Sequence, residues 1–122
     1  FDRLRAALAE TEDRLILPVP AENSRPSWFG FLITCKEGVD RNRVVQYVED
    51  HGVQTRMLFA GNLTKHPCFD EMRAEKKGYR IVGELKNTDR IMTDTFWVGV
   101  YPGMTDEKID YMAKVIKEGL EQ

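Results

Sequence analysis

The chain has 122 residues, 42% of them hydrophobic and 31% charged, and a formal net charge of −2 from 18 basic and 20 acidic side chains. That is the length of one domain, with no Ser/Gly linker or low-complexity stretch to divide it and enough apolar material for a core, which excludes a disordered chain. The basic residues are scattered, which argues against nucleic acid as a partner, and no apolar run approaches the roughly 20 residues of a membrane-spanning helix.

The chain opens at Phe1, without an initiator methionine and already inside an amphipathic pattern. We read it as a fragment or processed chain of a soluble cytoplasmic protein. Residues 2–14 predict a helix with Leu4, Leu8 and Leu15 on one side and Arg3, Arg5, Glu10, Glu12 and Asp13 mostly on the other, ending before Pro18 and Pro20. A proline-rich connector runs to Pro26. Residues 28–35 are aromatic and β-branched, too apolar for an exposed edge, and predict a central strand.

Asp40 is placed to cap a helix whose inward stripe is Val44, Val45 and Val48, with Gly52 as the left-handed stop. His51 falls in the last turn, where contact with the negative helix end outweighs a catalytic role. Residues 54–59 predict a second strand, followed by the polar loop 60–67. A short helix over 69–76, an extended piece over 79–82 and a helical turn over 87–92 come next. Residues 96–101 predict a further strand, and Thr105 caps a last helix with the stripe Ile109, Met112, Ala113, Ile116 and Leu120. The sum is an α+β fold: one small two-layer domain over 1–122, its core in 26–122, with a three- to four-stranded, mostly antiparallel sheet and helices on one face.

No self-sufficient catalytic motif occurs: GxSxG, HExxH, GxxxxGK[ST] and GxGxxG are all absent. Cys35 and Cys68 form no CxxC, and His51 and His66 make no metal-ligand spacing with them, so two free thiols and no metal site are expected. The carboxylate pairs Asp106/Glu107 and Glu49/Asp50 sit at helix ends, where solvation accounts for them. The loop Gly61–His66 is the best candidate for binding, since it gathers an amide, a hydroxyl, a cation and an imidazole, with Arg56 on the strand before it. Arg56 could meet an anionic ligand or pair with a neighbouring carboxylate. Trp28, Phe29 and Phe59 read as core rather than as a stacking platform.

The run Gly52-Val53-Gln54-Thr55-Arg56-Met57-Leu58-Phe59-Ala60-Gly61-Asn62-Leu63-Thr64-Lys65-His66-Pro67-Cys68-Phe69 resembles the C-terminal domain of the sugar-aminotransferase family, and its dehydrase branch in particular. The stretches from Gly83 to Ile91 and from Asp94 to Glu107 agree, so the resemblance covers the chain from about Pro26 to Met112. Ordinary sugar aminotransferases resemble it with Pro-Leu-His where Asn62-Leu63-Thr64 stands and Leu-Pro where Val98-Gly99 stands. Both departures favour the dehydrase.

The resemblance implies a vitamin-B6 enzyme of fold type I, usually a homodimer, that uses pyridoxamine or pyridoxal phosphate to remove the C3 hydroxyl of a CDP-4-keto-6-deoxyhexose for lipopolysaccharide synthesis. It implies a [2Fe–2S] cluster and a reductase partner for that enzyme, and a histidine in place of the cofactor lysine. Those groups would belong to a large N-terminal domain, leaving this chain without catalytic residues or bound cofactor of its own. Its small domain would close over the site, with Arg56, Phe59, Asn62, Leu63, Thr64, Lys65 and His66 on the substrate side. Trp28, Phe29 and Phe31 would pack near the large domain. The residues alone also allow a sugar-nucleotide aminotransferase fragment or a free-standing small-molecule-binding α+β module.

Overall fold

In the computed structural model, which describes all of residues 1–122, the chain builds a four-stranded sheet of order β1-β2-β4-β3. The strands are β1 (Leu15–Ile16), β2 (Gly30–Cys35), β3 (Thr55–Met57) and β4 (Thr95–Gly99), and every neighbouring pair is antiparallel. Between them lie helices α1 (Asp2–Ala7), α2 (Arg41–Asp50), α3 (Asp70–Glu75), α4 (Lys86–Asp94) and α5 (Asp106–Leu120). The expected α+β architecture is the one observed. Strands β2 and β3, joined through α2, are separated by β4, which comes last in the chain and closes the sheet between them.

Strand periodicity decides the two faces. Phe31 stands opposite Val98 and Ile33 opposite Phe96, all four fully buried against the helices. Leu32, Trp97 and Arg56 form one row across the other face, with Gly30 and Gly99 beside them. α5 lays Met112, Ala113, Val115, Ile116 and Leu120 onto the inner face, and α2 adds Val44 and Val48. Gly119 is where the two helices meet, since a Cβ there would stand 3.4 Å from the Val44 carbonyl oxygen. Leu4 of α1 and Leu8, just past its end, complete the core, and Phe1 stacks on Trp28 at 4.5 Å.

The capping expectations hold. Asp40 accepts hydrogen bonds from the backbone N–H groups of Asn42 (2.9 Å) and Arg43 (3.4 Å), and Thr105 accepts one from Lys108 N–H at 3.4 Å. Gly52 takes the left-handed φ of +76° after α2, and His51 Nδ1 donates to the Tyr47 carbonyl at 2.7 Å, which is the helix-end contact expected of it.

Several boundaries differ from the sequence reading. The first helix ends at Ala7 instead of running to 14, because the chain breaks into a single tighter turn over Ala9–Thr11 and then enters the sheet as β1. Thr11 Oγ1 donates to the Leu8 carbonyl at that break, and Leu15 pairs with Cys35, so tertiary pairing overrides a continuous amphipathic pattern. The strands are shorter than read, residues 79–82 join no ladder, and the helix read over 87–92 extends over Lys86–Asp94. Phe29 and Phe59, read as core, are 69% and 79% exposed. Each falls outside the ladder, where no opposing strand or helix covers it.

Both cysteines are free, Cys35 buried and Cys68 exposed, and burial pushes the Cys35 thiol up to about 11. A thiol reagent at neutral pH should therefore label Cys68 rapidly and Cys35 only on unfolding, as mass spectrometry of labelled peptides would show. Ile116→Ala, which empties a fully buried position between α5 and the sheet, should lower unfolding free energy in urea by about 2–5 kcal/mol.

Candidate functional site

The loop after β3 is shaped by its own polar side chains. Asn62 is buried, and its Oδ1 accepts from Thr64 N–H (3.0 Å) and Thr64 Oγ1 (2.6 Å), closing the short helical turn Leu63–Lys65. Its Nδ2 donates to Asp89 Oδ1 on α4 at 2.6 Å, and Lys65 Nζ lies 2.9 Å from Asp89 Oδ2. One carboxylate thus receives both ends of the turn. Gly61 makes the approach possible: its φ is +59°, and a Cβ would fall 2.6 Å from Met92 Cγ of α4.

Two arginines brace the same region. Arg73 of α3 donates to the carbonyls of Thr64 and of His66, the second at 2.9 Å, and pairs with Asp70. Arg41, from the first turn of α2, donates to the Thr95 and Met92 carbonyls at 3.3 Å each and tethers the end of α4 to the sheet. His66 Nε2 donates to the Ala60 carbonyl at 2.5 Å.

The seven residues read as substrate-side therefore divide. Asn62, Thr64 and Lys65 come together with Asp89, and His66 closes the loop on itself. Thr64 also joins Leu63, Phe69, Met72, Arg73 and Tyr79 around a concavity of about 230 Å³. Phe59 stands apart at φ +47°, an unusual conformation for a bulky residue, on the rim of an apolar groove of about 190 Å³ on the outer sheet face.

That groove is floored by Trp97 and Leu32 and walled by Trp28, Phe29 and Leu58. Phe29 meets Trp97 edge-on at 5.5 Å, and glycine at position 30 leaves room for the indole, which would stand 2.8 Å from a Cβ there. Arg56 lies beside Trp97 on the same face, donates to the Thr55 carbonyl at 2.7 Å and has no carboxylate partner. Of the two roles open to it from sequence, pairing with a neighbouring carboxylate is not the one seen.

Sequence reasoning missed Asp89, Arg73 and Trp97. Asp89 lies 27 positions from Asn62 on a helix with no motif of its own, so no spacing rule links the two. Trp97 was placed on a strand, but only the register with Leu32 and Arg56 puts it on the open face.

No cluster of three or more His, Cys, Asp or Glu side chains is placed to hold a metal ion, and no lysine is buried. What remains is a surface with an apolar groove, one unpaired arginine and a braced polar loop.

The chain belongs to the DegT/DnrJ/EryC1/StrS aminotransferase family, whose model matches residues 1–117. It is 47% identical over 120 residues to the lipopolysaccharide biosynthesis protein RfbH of Salmonella typhimurium, covering 97% of this chain and 26% of that protein. It is 46% identical over 118 residues to the dTDP-4-dehydro-2,6-dideoxy-D-glucose 3-dehydratase of Saccharopolyspora spinosa, covering 95% of this chain and 24% of that enzyme. The chain thus spans about a quarter of the length of these relatives. Its fold matches that of the E. coli GDP-4-keto-6-deoxy-D-mannose-3-dehydratase with a TM-score of 0.75 at 21% identity, over 94% of this chain and 28% of that one.

The hydrogen bonds from Lys65, then from Asn62, hold the Asp89 carboxyl below the usual aspartate range. Its ionised form is favoured in the folded state, so the stabilisation is present above about pH 4 and fades as the pH falls through the lowered value. Lys65→Met should raise the Asp89 pKa in an NMR titration. The stability gap between wild type and variant should narrow below about pH 4.

Proposed function

We propose that the chain is the C-terminal small domain of a sugar-nucleotide 3-dehydratase that removes the C3 hydroxyl of a CDP-4-keto-6-deoxyhexose in lipopolysaccharide synthesis. The observation that carries this reading is near-50% identity, across almost the whole chain, to a lipopolysaccharide biosynthesis protein and to a sugar-nucleotide 3-dehydratase. Asn62-Leu63-Thr64 and Val98-Gly99, the departures from the aminotransferase pattern, support the same branch.

The cofactor of this reading is pyridoxamine or pyridoxal phosphate, and the E. coli dehydratase of similar fold has been solved with bound hydrated PLP. When bound, that group supplies the electron sink for breaking the C3–O bond. In this reading the residue that meets the cofactor, a histidine in place of the usual lysine, and the cysteines of the [2Fe–2S] centre belong to a large N-terminal domain. The homodimer, the reductase partner and the cytoplasmic location belong to the same reading.

The chain's own contribution is positional. The braced loop and the open sheet face close over the sugar nucleotide, with the exposed Phe59, Leu63 and Arg56 offering aromatic, aliphatic and cationic contact. Trp28 and Phe29 pack toward the large domain. Phe31, also expected there, is fully buried under the helices and packs within this domain instead.

The test is to incubate the full-length protein with pyridoxamine phosphate and CDP-4-keto-6-deoxyglucose and follow the sugar by mass spectrometry. Loss of water from the sugar is expected. Transfer of an amino group to C4 with glutamate as donor, without dehydration, would assign the chain to the aminotransferases instead.

A further inference from the structure

Asp89 is the one carboxylate that contacts the loop of residues 61–66, and it does so twice, through Asn62 Nδ2 at 2.6 Å and Lys65 Nζ at 2.9 Å. Asn62 is 2% exposed, with Oδ1 accepting twice from Thr64 and one amide N–H given to Asp89, so burial keeps it from a ligand. Lys65 differs. Its side chain is 54% exposed, and an ammonium has three N–H donors, of which Asp89 takes one.

No acidic residue occurs between Ala60 and Phe69, so nothing within the loop repels an anion. A lysine on an exposed loop ordinarily loses a large side-chain entropy when it binds, and a fixed carboxylate partner removes much of that loss in advance. Arg73 holds the backbone under the same turn through the Thr64 and His66 carbonyls, so the loop is braced from α3 and from α4.

We propose that Asp89 is a positioning residue, which fixes the turn from Asn62 to Lys65 and presents the Lys65 ammonium to the diphosphate of the sugar nucleotide. The inference rests on the sugar-nucleotide reading above, and it assigns to Lys65 the contact and to Asp89 the preorganisation. Asn62 acts as the link between them.

The experiment measures CDP binding to the full-length enzyme by calorimetry, alongside steady-state kinetics, for Asp89→Asn, Asp89→Glu, Lys65→Met and the Asp89→Asn/Lys65→Met pair. Either single loss should weaken CDP binding about tenfold, the worth of one charge-assisted hydrogen bond. KM should rise with kcat little changed. The pair should be no weaker than Lys65→Met alone, and Asp89→Glu should recover most of the affinity. Lys77→Met, outside the loop, controls for net charge.

CDP affinity unchanged in Lys65→Met and Asp89→Asn, with only the melting temperature lowered, would make Asp89 a structural brace and overturn the proposal. So would additive losses in the pair, or a wild type that binds CDP no more tightly than cytidine. Because binding is read apart from turnover, a protein that follows the expected CDP pattern but does not dehydrate the sugar would overturn the assigned reaction and leave the Lys65 contact standing.

Discussion

The antiparallel pairing of β2 with β4 is the constraint on which the rest of the domain depends. Once Phe31 faces Val98 and Ile33 faces Phe96, the two-residue period of the ladder leaves no choice for the residues between them. Leu32 and Trp97 must face the other way, and a slip of β2 by one residue would exchange its apolar buried row for Gly30, Leu32 and Thr34. The helices follow from this. α5 and α2 can only pack where the apolar row is, and their meeting at Gly119 is as close as two backbones with a small residue between them allow.

A sheet covered on one side leaves its other side to be used. Here that side is neither a uniform polar surface nor a second core. It carries Trp97 and Leu32 at its centre, Phe29 and Phe59 standing proud of it, and Arg56 at its edge strand. Aromatic groups this exposed are uneconomical for an isolated small domain, and they make physical sense where the surface meets a partner or ligand.

The loop after β3 solves a different problem. A polar loop that must hold one shape needs its backbone groups satisfied without a neighbouring strand, and here the side chains of Asn62, Arg73 and His66 do so, with Asp89 holding Asn62 in place. The consequence is a division of labour within a short stretch. The residues that looked most reactive in the sequence are largely those that build the loop, and the apolar Phe59 and Leu63 are among those left facing outward.

The sequence by itself determined the α+β class, the capped helices α2 and α5, the central position of β2, the two free thiols and the family. Each of these depends on periodicity, on a cap a few residues from its helix, or on long runs of residue identity, and all of that information is local. Only the tertiary structure decided that the first helix stops at Ala7 so that Leu15 can pair with Cys35, and that Trp97 and Arg56 share the open face. It also decided that Asn62 and Lys65 converge on Asp89. Those features join residues far apart in the chain, and their energies come from packing and pairing that no local pattern encodes.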